Sequence, residues 1–139
     1  MFDSKKKSRP VELATLVGRD TEIHGDIVFR GALHVEGRVK GDITSVTEDD
    51  GALLTVGEHG VIEGEIRVPR ITLDGMVIGN VFASQVIELV ANARVTGNIH
   101  YHRLEMAMGA EVNGQLIPTR GTEPSSQVED SPSEGSNGK

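Results

Sequence analysis

The sequence has no cysteine and no tryptophan, and only three Phe and one Tyr occur among its 139 residues. Without cysteine, a disulfide scaffold, a thiol nucleophile and a thiolate zinc site are all excluded. No apolar run approaches the ~18 residues of a membrane-spanning helix, and no secretory signal precedes the apolar part of the chain. We therefore expect a cytoplasmic protein.

Charge is distributed unevenly. Residues 1–12 hold 4 basic and 2 acidic side chains. Residues 13–117 hold 8 basic and 15 acidic side chains, and residues 118–139 hold 2 basic and 4 acidic ones. An acidic body repels the phosphates of nucleic acids, and the chain has no set of aromatic side chains on which bases could stack. These features argue against nucleic-acid binding.

Small and β-branched residues dominate instead. The chain contains 17 Gly, 16 Val and 10 Ile against 9 Leu. A helical bundle favours Leu and Ala and avoids Gly, whereas Val and Ile are enriched in strands. The composition therefore favours an all-β fold.

An internal repeat fills residues 13–117. The segment that begins at Leu54 recurs 33 residues later at Ile87 and a further 17 later at Leu104, and the segment at Leu33 recurs 38 residues later at Ile71. With a degenerate first copy, this gives six copies of about 17 residues. In each copy apolar and polar residues alternate around glycines, as in VEGRVKGDI and VIEGEIRV, which is the period of a strand.

A short strand with one apolar face cannot bury that face alone, so we expect the copies to stack as a parallel β-solenoid of six turns. At ~4.8 Å per turn the rod would be roughly 29 Å long. Glycines would lie at the corners, and the spacer from Thr44 to Gly51 would form a surface loop. The stretch RLEMAM (103–108) looks helical by itself, but the repeat assigns it to a strand.

The repeat, the leader MFDSKKK and the polar, Pro-containing tail resemble the bactofilins, bacterial cytoskeletal proteins. The resemblance implies a right-handed parallel β-helix over residues 13–117. It also implies end-to-end assembly into non-polar filaments without nucleotide. Members of this family scaffold cell-wall enzymes, shape-determining proteins or polar proteins at the inner face of the cytoplasmic membrane.

The two ends of a solenoid leave an apolar ladder and backbone groups without a neighbour. No sequence typical of a helical cap borders either end of the repeat region, so we expect the two ends to stack on other copies of the protein. The alternative is a monomer whose local loops cover both ends. The residues predicted for this polymerisation interface are Leu13, Leu16 and Ile23 at one end, and Leu104, Met106, Val112 and Leu116 at the other.

Residues 1–12 form a basic leader that we expect to be disordered. Phe2 can insert among lipid headgroups, and each basic residue adds roughly 1 kcal/mol near anionic lipid. An ordinary solvated terminus is the alternative. The residues predicted to bind a membrane are Met1, Phe2, Lys5, Lys6, Lys7 and Arg9. Residues 118–139 are too poor in apolar residues to fold and are predicted to be disordered.

No catalytic, cofactor or metal site is expected. His100 and His102 lie two apart without a third ligand, so solvated histidines are the favoured interpretation. Residues 37–41 and 75–79 resemble phosphate loops only because of the repeat, since no GKS/T follows either of them. The polar residues that follow repeat glycines should line one corner; they are Asp26, Asp42, Glu65, Asn80, Asn98 and Gln115.

Two other functions remain open. A hexapeptide-repeat acyltransferase also has a β-helix, but that helix is left-handed with a strict six-residue period. The copies in this sequence are about 17 residues long, and 17 is not a multiple of six. The other is an oligomeric anchoring module that recruits a partner without forming filaments.

Overall fold

The computed structural model describes residues 15–46 and 51–119, which are built from short strands and contain no helix. Within these ranges there is thus no helix long and apolar enough to cross a membrane. The strands are β1 (Thr15–Val17), β2 (Glu22–His24), β3 (Ile27–Phe29), β4 (Ala32–Val35), β5 (Arg38–Lys40), β6 (Ile43–Ser45), β7 (Leu53–Val56), β8 (Val61–Glu63), β9 (Ile66–Arg67), β10 (Arg70–Leu73), β11 (Met76–Ile78), β12 (Val81–Leu89), β13 (Arg94–Thr96), β14 (Ile99–Met106), β15 (Glu111–Asn113) and β16 (Leu116–Pro118).

Each strand pairs in parallel with the strand one turn further along, and this pairing creates three faces. The first face contains β1, β4, β7, β10 and the second halves of β12 and β14. The second face contains β2, β5, β8, β11, β13 and β15. The third face contains β3, β6, β9, the first halves of β12 and β14, and β16.

Six turns of three strands result, so the predicted six-turn parallel β-solenoid is confirmed. The stretch RLEMAM also follows the repeat, because Leu104 and Met106 lie in β14. The right-handed sense of the coil and the boundaries at residues 13 and 117 remain predictions.

The core consists of inward side chains stacked in register from turn to turn. On the first face Leu33 lies beside Leu54, Leu54 beside Ile71 and Ile71 beside Ile87, and each is at most 2% exposed. Burial of each such side chain is worth roughly 1.5–3 kcal/mol. A prism only one side chain deep on each face has little room for large rings, which explains the scarcity of aromatic residues.

The spacer begins later than the sequence indicated. The predicted surface loop includes Thr44 and Ser45 as the start of the spacer between the second and third copies, but both lie in β6 and pair with Val28 and Phe29. Ser45 is buried at an inward position beside the large ring of Phe29, where a small side chain fits. The centre of the predicted loop, residues 47–50, lies outside the described residues.

Candidate assembly surfaces at the ends of the solenoid

One corner of the solenoid holds the turns in close contact through stacked glycines. A Cβ atom on Gly79 would lie against the carbonyl oxygen of Gly64, far inside van der Waals contact, and one on Gly97 would meet Gly79 in the same way. The φ angles of Gly79 and Gly97 are +145° and +143°, values that favour glycine. The corner column is Gly25, Gly41, Gly64, Gly79, Gly97 and Gly114. At Gly64, Gly79, Gly97 and Gly114 the corner therefore requires glycine for both space and conformation.

At this corner, where the repeat placed them, the polar residues that follow four of these glycines link successive turns: Asp26, Asp42, Asn80 and Asn98. The side chain of Asp42 accepts a hydrogen bond from the backbone N–H of Glu65 at 2.9 Å. Asn98 accepts one from the N–H of Gln115 at 3.1 Å, and Asn80 one from Asn98 at 3.1 Å. The sixth turn is therefore fixed to the fifth by side-chain bonds as well as by its strands.

The four residues predicted for one end of the polymer come together on the sixth turn. Leu104, Met106, Val112 and Leu116 occupy inward positions directly beside Ile87, Leu89, Val95 and Ile99 of the fifth turn. Those fifth-turn residues are at most 2% exposed, whereas Met106 is 46% and Leu116 39% exposed. The difference arises because residues 15–46 and 51–119 contain no seventh turn that would cover the ladder.

The backbone at this end is also unpaired. Within the described part of the chain, residues 103–106 pair only with β12, β15 only with β13, and β16 only with β14. An apolar surface bordered by free strand edges is suited to pairing with another chain. Met108, another apolar residue of the last copy, lies in the turn between β14 and β15 and is 92% exposed.

The first turn forms the opposite end, and it contains Leu16 and Ile23, two of the residues predicted for that end. Ile23 is inward and half-buried beside Val39, as expected. Leu16, however, faces outward on the first face and is 65% exposed, because Thr15 and Val17 occupy the inward positions of β1. Its part in assembly stays a prediction.

The remaining residues predicted for these surfaces are Leu13, Met1, Phe2, Lys5, Lys6, Lys7 and Arg9, and they lie outside the described residues. Their roles stay predictions. Val28, 68% exposed on the third face in the first turn, is an additional apolar residue at this end. A lone outward Val in a strand gives no signal that sequence reasoning could have used.

The outer face carries one aromatic cluster. The guanidinium of Arg67 lies 4.0 Å from the ring centre of Phe82, which stacks on His100 with centroids 4.4 Å apart. His100 is thus a half-buried surface histidine that covers Phe82, a contact that the sequence did not predict. His102, on the next corner, is exposed. Among residues 15–46 and 51–119 no group of three or more His, Asp or Glu is placed to hold a metal ion.

An electrostatic cluster lies at the corner after the first face. The Nε2 atom of His34 is 2.8 Å from the Oε2 atom of Glu36, and the Nδ1 atom of His59 is 3.7 Å from its Oε1 atom. The hydrogen bond from His34, and then the backbone N–H of His59, hold the pKa of Glu36 below its ordinary value. The carboxylate occupies space left free by Gly57 in the next turn.

A regular three-faced solenoid whose last turn is apolar and unpaired is typical of structural proteins that stack on further strands. The comparisons with known proteins agree. The family model described as "Bactofilin: Polymer-forming cytoskeletal" matches residues 15–117. The chain belongs to the bactofilin family.

Two curated relatives come from Myxococcus xanthus (strain DK1622). Bactofilin BacO is 35% identical over 102 residues, which cover 73% of this chain and 77% of BacO. Bactofilin BacP is 30% identical over 102 residues, so that the match spans only 40% of BacP. No solved structure matches the chain.

Proposed function

We propose that this protein is a cytoskeletal scaffold that polymerises end to end, without nucleotide, into non-polar filaments. These filaments would lie at the inner face of the cytoplasmic membrane and position cell-wall or cell-shape factors. The observation that carries the proposal is the sixth turn, where Leu104, Met106, Val112 and Leu116 form an uncovered apolar ladder. Membership of a polymer-forming family supports it.

The energetics require the whole last turn to take part in the contact. Burial of four partly exposed side chains contributes on the order of 1 kcal/mol each, and each backbone hydrogen bond contributes about 1 kcal/mol. Association costs roughly 4–15 kcal/mol in lost freedom of movement. A junction is therefore stable only if all three strands of the turn meet their partners, so a single buried charge should be enough to prevent it.

Assembly without nucleotide is supported by the structural role of residues 37–41 and 75–79, the two segments that resemble phosphate loops. Cβ atoms on Gly37 and Gly75 would meet backbone carbonyls of the preceding turn, at Gly18 and Gly60. These glycines allow neighbouring turns to approach closely. The repeat thus accounts for their presence without a bound phosphate.

Attachment to the membrane is proposed for the basic leader, residues 1–12. One Phe and four basic residues give weak binding from a single copy. A filament presents many leaders at once, so that avidity makes attachment stable. Recruited partners would bind along the lateral faces or to the tails.

Negative-stain electron microscopy of the purified protein without nucleotide tests the polymer. Leu116→Arg should leave the core folded and convert filaments into small particles, because it places a charge in the end contact. Met76→Arg is the matched control, since Met76 is 41% exposed against 39% for Leu116 but lies outward in the fourth turn. This control should still form filaments.

Small monodisperse particles from the parent protein itself would contradict the filament proposal and favour the oligomeric anchoring module. Filaments from Leu116→Arg equal to those of the parent would show that assembly uses another surface.

A further inference from the structure

We infer that two copies join through their sixth turns by antiparallel pairing of residues 103–106 about a two-fold axis at Leu104. Arg103 of each copy then faces Glu105 of the partner subunit. The inference rests on the proposed end-to-end assembly, and it adds the register of the junction and the reason why the filament has no polarity.

The backbone of residues 103–106 is oriented for this pairing. The N–H of Ala107 donates to the carbonyl of Leu89 in the fifth turn, at 2.8 Å. Successive peptide groups of a strand point to opposite edges, so the N–H and C=O groups of Leu104 and Met106 point to the free edge. When Leu104 lies opposite Leu104 of the partner subunit, the two residues exchange both hydrogen bonds.

The side chains select this register among its neighbours. Leu104 faces inward beside Ile87, whereas Arg103 and Glu105 face outward and are 71% and 49% exposed. A two-fold axis at Leu104 places Arg103 opposite the partner's Glu105, and the reverse, which gives two reciprocal ion pairs. An axis one residue away places Arg103 or Glu105 opposite its own symmetry mate, and like charges directly opposite each other destabilise a pair of strands.

The other two strands of the sixth turn offer weaker self-pairing. An axis at Val112 in β15 would face Glu111 with the partner's Asn113, which makes no ion pair. An axis at Ile117 in β16 would face Leu116 with the partner's Pro118, which makes no ion pair either. With the axis on the first face, β15 of one copy instead lies opposite β16 of the other.

A polar, head-to-tail stack is less complementary. Continuing the parallel ladder from the sixth turn to the first turn of a next copy would set Glu105 beside Leu16, which is 65% exposed on the same outer face. A charge would then lie next to a large apolar side chain, and neither would gain a partner. The reciprocal arrangement pairs both outward charges of each copy.

The test uses Arg103→Glu and Glu105→Arg as separate full-length variants. Either change alone places like charges opposite each other twice in every junction, so we expect the critical concentration for filaments to rise about tenfold at low salt. In an equal mixture, a junction between one copy of each variant brings two acidic positions opposite two basic positions. Sedimentation should then show filaments restored.

The mixture separates this inference from a simpler explanation. Arg103 and Glu105 also pair within one chain at 3.0 Å, and loss of that pair would weaken each variant by itself. Mixing cannot repair an intrachain pair. Arg38→Glu is the matched control, because Arg38 pairs with Glu63 at 2.9 Å on the side of the rod, and it should assemble like the parent. Circular dichroism checks that all variants are folded.

The outcomes are distinguishable. If the parent forms no filaments, the proposed function fails and this inference fails with it. If the parent assembles and both variants assemble at its critical concentration, the junction does not contain Arg103 and Glu105 and only the inference is overturned. If the variants fail singly and also as a mixture, the antiparallel register is wrong.

Discussion

The stacked glycine corner predicts how strongly the fold depends on contact between turns. In Gly79→Ala, the alanine would have to keep a φ of +145°, and its methyl group would meet the carbonyl oxygen of Gly64. The unfavourable conformation costs about 1–3 kcal/mol. To relieve the clash, the third and fourth turns must separate locally. That movement would weaken two hydrogen bonds of 3.0 Å, from Gly64 to Ile78 and from Ile66 to Asn80.

At about 0.5–1.5 kcal/mol for each bond, separation of the turns adds roughly 1–3 kcal/mol to the conformational cost. Gly25→Ala is the matched control. Gly25 has nearly the same φ, +143°, but belongs to the first turn, and nothing lies within 4 Å of a Cβ atom there. Gly25→Ala should therefore lose only the stability that corresponds to the unfavourable φ angle.

Urea unfolding at pH 7 measures both free energies of unfolding. The comparison is best made in the Leu116→Arg background, because assembly would add to the apparent stability of the folded state. Gly79→Ala should be less stable than Gly25→Ala by roughly 1–3 kcal/mol. Equal losses would refute the reasoning, since they would mean that close approach between turns contributes nothing at this corner.

Two further predictions concern charge. The pKa of Glu36 is lowered in the folded protein, so its contribution to stability is present above the ordinary pKa of a Glu, about 4.3, and is lost as the pH falls through the lowered value. Glu36→Gln should therefore lower the free energy of unfolding by about 1 kcal/mol at pH 7. Urea unfolding at pH 3.5 should show a smaller difference between the variant and the parent protein. An equal difference at both pH values would contradict this prediction. Deletion of residues 2–9 should abolish co-sedimentation with vesicles that contain phosphatidylglycerol, and undiminished pelleting would rule out the leader as the membrane anchor.

Sequence reasoning predicted the fold well because a solenoid repeats one local pattern. The alternation around Leu54, Ile87 and Leu104 fixes which side chains face inward, and those positions are fixed again by every neighbouring turn. The family resemblance drew on the same pattern. Leu104 and Met106 were placed in a strand against their local helical appearance for this reason.

The errors lie where the repeat gives no information. Leu16 precedes the first complete copy, so nothing in the sequence showed that Thr15 and Val17 hold the inward positions of β1. Ser45 falls in the spacer between two copies, where the repeat assigns no inward position, although its size suits one beside Phe29. The stacking of His100 on Phe82 could not be predicted, because Phe82 lies one full turn earlier in the chain and the alternation within one strand does not show which outward residues become neighbours.

The different lengths of the turns have a practical consequence. The paired residues Leu33 and Leu54 are 21 positions apart, whereas Leu54 and Ile71 are 17 apart and Ile71 and Ile87 are 16 apart. Register is thus set by side-chain ladders and not by contour length, so extra chain at a corner leaves the neighbouring strands where they were. The segment between Ser45 and Leu53 is accordingly a natural insertion point for a fluorescent or affinity tag, which would project from the side of the rod and leave both of its ends free.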